Sequence, residues 1–225
     1  MNNKKEIVPS LLAFQKNNWS HFFDIFQNNN IQFIHFDVMD KEYVNNTAYD
    51  HNDYKLFLDD HNNLKAHVHL MVMDPLNEIE KYFNKKTDAI CFHFDVYQNP
   101  NKVFECLNKI KTNNIKAGIA INPNFTIDDY EIYLKECDFI TIMGVYPGKG
   151  GQSFETSCIN NLLAIRNWSI QNNKEFIIEL DGGMNFDTIP LVIKNSDCIV
   201  SGSFLEKNIT IISDIISWFD NLINH

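Results

Sequence analysis

Short apolar runs rich in β-branched and aromatic residues alternate with helix-length amphipathic stretches along the whole chain, and this alternation limits the fold more than any other feature. Strand-length runs kept apart by helix-length segments point away from tight hairpins and towards a parallel sheet with helical crossovers. Strands are expected near 7–10, 33–38, 66–70, 89–93, 116–121, 139–143, 176–180 and 198–201. Helices are expected between them, at 19–27, 101–112, 127–136, 157–171 and 209–222, with Asn208 placed to cap the last.

Eight parallel strands either close into a barrel or form an open, doubly wound sheet. The open sheet calls for a glycine-rich turn after the first strand, and here that turn reads Pro9-Ser10-Leu11-Leu12. The expected class is therefore α/β, a single-domain (β/α)8 TIM barrel of eight parallel strands, with one domain over 1–225. At 225 residues and 44% apolar content the chain can bury one sizeable core, although it is slightly short for eight βα units.

The net charge of -10 argues against a nucleic acid or an anionic membrane as partner. No run of about 18 apolar residues occurs, so neither export nor membrane insertion is expected. The five cysteines (Cys91, Cys106, Cys137, Cys158, Cys198) are scattered and contain no CxxC pair, which fits a reducing cytoplasm better than a disulfide framework. Arg166 is the only arginine and falls in an expected helix, so a phosphate ligand would be held by backbone amides.

In a parallel barrel the carboxyl ends of the strands carry the chemistry. His35 and Asp37 in FIHFDVMD are two apart and share the inward face, His69 in AHVHLM closes the next strand, and Asp181 in IIELDGG closes the seventh. Any one strand histidine is more often a hydrogen-bonded core residue than a ligand. Two imidazoles and two carboxylates at one mouth, however, make a donor set suited to Zn²⁺, Fe²⁺, Mn²⁺ or Co²⁺. His67, His93 and Asp95 read as hydrogen-bonding support rather than ligands. Met39, Met71 and Met143 lie near strand ends, where methionine alone usually means core.

Glycines gather in the last three loops: YPGKGGQSF, DGGM and SGSF. The final two loops of a barrel often hold phosphate, so Gly182, Gly183, Gly202 and Ser203 form a coherent anion site.

Together PSLLA, HFDVMD, HVHLMV, MGVYPGKGGQSF, LDGG and GS resemble the ribulose-phosphate 3-epimerase family in order and spacing, over nearly the whole chain. The resemblance implies an isomerase that interconverts D-ribulose 5-phosphate and D-xylulose 5-phosphate, a step of the non-oxidative pentose phosphate pathway. It implies one divalent metal ion on His35, Asp37, His69 and Asp181, with Asp37 and Asp181 as the catalytic acid and base. Removing the carbon-3 proton beside a ketone yields an enediolate, whose charge a metal can neutralise. Ser10, His69 and Asp181 would contact substrate. Gly148, Gly150, Gly151, Gln152, Gly182, Gly183, Gly202 and Ser203 would line its phosphate end, and Met39, Met71 and Met143 an aprotic wall. A small phosphoketose is the implied partner, and a homo-oligomer is left open.

The chain departs from the family's usual DVMDG and VPN at Lys41 and Asn45, so a reshaped loop after strand two is expected. Lys149 replaces the usual phenylalanine of PGFGGQ, Gly144 and Tyr146 also differ from the commonest forms, and Asp95 stands for a glutamate. Such loop changes keep a hexulose-6-phosphate 3-epimerase of the same family open as a rival. A related decarboxylase pattern, DxKxxD, fails at Met39. A non-catalytic sugar-phosphate-binding barrel is disfavoured because all four ligands and both carboxylates are present.

Overall fold

The computed structural model describes residues 5–223. Eight strands run in chain order: β1 Glu6–Pro9, β2 Phe33–Met39, β3 Lys65–Met71, β4 Thr87–His93, β5 Lys116–Ile121, β6 Phe139–Met143, β7 Ile177–Asp181 and β8 Cys198–Ser201. Among the described residues the helices are α1 Trp19–Asn28, α2 His51–Asp59, α3 Pro75–Glu78, α4 Pro100–Lys111, α5 Ile127–Leu134, α6 Cys158–Asn172, α7 Ile189–Val192, α8 Ser203–Lys207 and α9 Ile212–Ile223. One helix follows each of the first seven strands, and two follow the eighth. None is long and apolar enough to cross a membrane.

Every strand pairs in parallel with its neighbours, in the order β1-β8-β7-β6-β5-β4-β3-β2. A parallel bridge between Ser10 and His35 brings β1 back against β2 and completes the (β/α)8 barrel. The period-2 pleat sorts each strand into two faces. Ile34, Phe36 and Val38 of β2, with Val68 and Leu70 of β3, pack outward against Phe23 and Phe26 of α1 and Tyr54 and Phe57 of α2. Inside the barrel, apolar packing is confined to small groups such as Ala89, Cys91, Ala120 and Phe139, or Val8, Cys198 and Val200. Met39 and Met71 form a further apolar group with Val44, and between these groups lie polar inward side chains, among them His35, Asp37, His67, His69, His93, Thr141, Glu179 and Asp181.

Local chemistry accounts for many of the ends. Asp50 and Asp53 make a capping box on α2, Thr126 and Asp129 another on α5, and Asn99 accepts from Asn101 N ahead of Pro100 at the start of α4. Three asparagines near helix ends have a conformational role. Asn30, Asn114 and Asn173 take φ values of 57°, 58° and 48° just beyond helices, the left-handed turn that asparagine tolerates better than most residues.

Several expected bounds shift by one or two residues: β1 ends at Pro9, leaving Ser10 just beyond it, and β4 begins at Thr87. Asn208 does not cap the last helix: its Nδ2 donates back to Phe204 O at 2.8 Å, and residues 209–211 form a 3-10 turn ahead of α9. β3 runs two residues past His69, to Met71, because its outward positions stay apolar to the end. β7 begins at Ile177 rather than 176.

Candidate active site and metal centre

Four side chains converge at the carboxyl end of the barrel. His35 and Asp37 come from β2, His69 from β3 and Asp181 from the last position of β7, and Asp37 pairs in register with His69. His35 Nε2 lies 3.3 Å from Asp37 Oδ1, 3.4 Å from Asp181 Oδ2 and 3.4 Å from His69 Nδ1. His69 Nδ1 is 3.5 Å from each of the same two carboxylate oxygens.

These separations decide between two accounts of the cluster. Charge-assisted N–H···O bonds are shorter, about 2.7–2.9 Å. Donors around a tetrahedral ion with bonds of about 2.0–2.1 Å stand about 3.3–3.4 Å apart, the edge of that tetrahedron. Five of its six edges here measure 3.3–3.5 Å, and all four donor atoms lie within 4.8 Å of one another. The residues thus fit a divalent cation better than a hydrogen-bonded knot.

The four groups are also strongly coupled electrostatically. Burial disfavours a charged His35, yet the carboxylates of Asp37, Asp181 and Glu179 outweigh it and raise its pKa well above the usual value. Asp37 is held below the usual carboxylate range, because His35 and His69 outweigh the cost of its burial. Carboxylates clustered this tightly call for positive charge among them.

A further ring of contacts orients the cluster. Ser10 Oγ donates to Asp37 Oδ2 at 2.8 Å. His69 Nε2 and His93 Nε2 share a proton at 2.9 Å, and burial, reinforced by His69, pushes the pKa of His93 well down, so His93 stays neutral. The Tyr43 ring packs 4.6 Å from that of His93, and its hydroxyl lies 3.2 Å from Asp95 Oδ1 and accepts from Asn122 Nδ2 at 3.0 Å. Behind His35, Glu179 is fully buried: Oε2 is 2.6 Å from His67 Nδ1, and Oε1 is 3.2 Å from His35 Nδ1.

Above the cluster opens a cleft of about 820 Å³. Its walls bring together Ser10, Asp37, Asp181, Met39, Met71 and Met143 with Gly148, Gly150, Gly151, Gln152, Gly182, Gly183, Gly202 and Ser203. His35 and His69 are fully buried beneath it. Gly182 adopts φ 100°, and a Cβ there would stand 2.4 Å from Val145 Cγ2, so only glycine fits that turn. Gln152 is already engaged, its Nε2 donating to Tyr146 O at 2.6 Å and Lys149 O at 2.9 Å. Lys149 is exposed on the cleft wall. Arg166 lies elsewhere, its guanidinium bound to Asn195 O and Asp197.

The loop after β2 is held by Asp40. Lys41 stands at φ 69°, Asp40 Oδ1 accepts from the amides of Glu42 and Tyr43, and Asp40 Oδ2 accepts from Met73 N. Sequence reasoning missed Glu179, Tyr43 and Asn122. Glu179 carried a signal, since it lies two before Asp181 in an apolar strand and so shares its face. Tyr43 and Asn122 carried none, because their meeting depends on loop conformation.

The sequence model of the ribulose-phosphate 3 epimerase family matches residues 6–205. Ribulose-phosphate 3-epimerase of Mycoplasma genitalium is 31% identical over 200 residues, covering 88% of each chain. That of Buchnera aphidicola subsp. Acyrthosiphon pisum is 33% identical over 175 residues, covering 77% of this chain and 75% of its own. A mutant tryptophan synthase alpha-subunit from the hyperthermophile Pyrococcus furiosus superposes with a TM-score of 0.66, over 99% of this chain and 98% of its own, at 12% identity. That last likeness concerns the barrel alone. With a family match over residues 6–205 and relatives 31–33% identical over three quarters or more of the chain, this chain belongs to the ribulose-phosphate 3-epimerase family, a family of isomerases.

Proposed function

We propose that the chain, as one sugar-phosphate-binding domain over 1–225, interconverts D-ribulose 5-phosphate and D-xylulose 5-phosphate with the help of one divalent ion. The observation that carries this reading is the pair of carboxylates from β2 and β7, Asp37 and Asp181, each within 3.5 Å of both imidazoles at the floor of the cleft. Inverting a stereocentre by proton transfer needs one proton acceptor and one donor on opposite faces of the carbon. Asp37 takes the carbon-3 proton from one face, Asp181 as the carboxylic acid returns a proton to the other, and the reverse reaction exchanges their roles.

Bound to His35, His69, Asp37 and Asp181, a Zn²⁺, Fe²⁺, Mn²⁺ or Co²⁺ ion would act as a Lewis acid for the negative charge that develops on the substrate oxygens. Ser10 steadies Asp37 through Oδ2, which keeps Oδ1 turned to the imidazoles. Met39, Met71 and Met143 exclude water from one side of the reacting carbon, since their side chains are buried and offer no acidic proton. Gly182, Gly183, Gly202 and Ser203 face the same cleft and supply amides for the phosphate. The five thiols are buried and unpaired, which suits a reducing cytoplasm.

The test is proton NMR of D-ribulose 5-phosphate with the chelator-stripped protein in D2O, with and without each metal. The expected result is metal-dependent xylulose 5-phosphate carrying deuterium at carbon 3. Product without carbon-3 exchange would overturn the proton-transfer mechanism, and full activity after stripping would overturn the metal. The departures at Lys41, Asn45 and Lys149 favour a second reading, a hexulose 6-phosphate as substrate, which the same assay decides by a change of sugar.

A further inference from the structure

Among the described residues three carboxylates are buried in the barrel, Asp37, Asp181 and Glu179, and the chemistry proposed above uses the first two. An ionised carboxylate placed out of water is costly unless it is paired, so Glu179 needs an account. It lies one pleat below Asp181 on β7, as His35 lies one pleat below Asp37 on β2. Its Oε2 makes a 2.6 Å hydrogen bond with His67 Nδ1, while Oε1 is 3.2 Å from His35 Nδ1 and 3.3 Å from Thr141 Oγ1. The His35 contact is one of charge more than of alignment, since it lacks hydrogen-bond geometry. On its far side His67 faces Asp88 at 3.6 Å, which Lys116 holds at 2.7 Å. A row of alternating acid and base therefore crosses the barrel from Asp88 through His67, Glu179 and His35 to the four-donor cluster.

His35 can offer Nε2 to a cation only when its ring proton sits on Nδ1, and Glu179 supplies the negative charge beside that atom. We propose that Glu179, clamped by His67, is the positioning residue for His35: it holds the ring proton at Nδ1 and turns the Nε2 lone pair into the four-donor cluster. His69 is backed differently, by the neutral imidazole of His93 at 2.9 Å. One nitrogen ligand is thus electrostatically reinforced and the other is not. The inference rests on the metal reading of the cluster given above.

A competing account places a second ion among His67, Glu179 and Cys198, whose donor atoms also lie within 4.8 Å of one another. The 2.6 Å between His67 and Glu179 leaves no gap for an ion, unlike the 3.3–3.5 Å edges of the main cluster. Burial also pushes the Cys198 thiol well above its usual pKa, away from the thiolate a metal requires.

The test titrates Co²⁺ into the chelator-stripped full chain, followed by visible absorption and by competition with a chelating indicator. Glu179→Gln keeps shape and an acceptor but removes the charge. It should keep the native circular dichroism, bind Co²⁺ about 10- to 100-fold more weakly and shift the visible band. His67→Gln, which leaves Glu179 in place, should weaken binding in the same direction by less than about tenfold, and it serves if the first variant does not fold. Unchanged affinity and band in a folded Glu179→Gln, or unchanged affinity in His67→Gln, would overturn the assignment. So would two Co²⁺ per chain with a thiolate charge-transfer band. No Co²⁺ bound by the unmodified chain would instead bring down the metal reading itself, a result separate from a variant-specific failure.

Discussion

Asn46 Nδ2 donates a 2.7 Å hydrogen bond to Gly148 O, tying the loop after β2 to the glycine-rich loop after β6 across the mouth of the cleft. An exposed hydrogen bond of this kind contributes about 0.5–1.5 kcal/mol. Asn46→Ala should therefore raise KM about 2- to 10-fold while leaving kcat within about twofold. A steady-state comparison showing a fall in kcat alone would place the latch in the chemical step instead.

In the proposed chemistry, Asp181→Asn removes a proton carrier without removing volume. Turnover should fall by at least about 10²-fold, the scale of general acid or base catalysis, with the circular dichroism unchanged. Carbon-3 deuterium exchange, read by NMR in D2O, checks it: near-normal product formation would take Asp181 out of the mechanism.

Lys41 sits at φ 69° with its side chain in solvent, so it bears the strain of a left-handed backbone with no buried contact in exchange. Lys41→Gly should raise stability by about 1 kcal/mol and the midpoint of thermal unfolding by about 2–4 °C. A lowered midpoint would mean that the lysine side chain contributes a contact of its own.

Gly118 on β5 meets Phe139 of β6 so closely that an added Cβ would stand 2.2 Å from Phe139 O. That atom is backbone in the middle of the sheet and cannot swing aside. Gly118→Ala should cost about 3 kcal/mol or prevent folding. Guanidinium unfolding with an unshifted midpoint would contradict the strand spacing.

Strand and helix periods alone indicated eight βα units, because a parallel sheet buried on both faces imprints itself on every strand. The same pleat rule placed His35 with Asp37, and could have placed Glu179 with Asp181, since two residues apart on a strand means one face. Asn208 misled, because a capping residue type does not reveal which helix end its side chain serves. Loop partners such as Tyr43 with Asn122, or Asn46 with Gly148, were beyond reach: their separations of 79 and 102 residues close only after the barrel does.

What the sequence determined by itself was the order of elements, the inward face of each strand and the residue types at each strand end. Tertiary structure decided which of those ends meet. The Ser10–His35 bridge closes the barrel and brings β7 opposite β2, so Asp181 comes within 3.4 Å of a histidine 146 positions earlier and an acid chosen by local pattern becomes part of a site. The physical reason is that strand periodicity is a property of neighbouring residues, whereas a donor set is a property of distances that exist only once the sheet has curled onto itself.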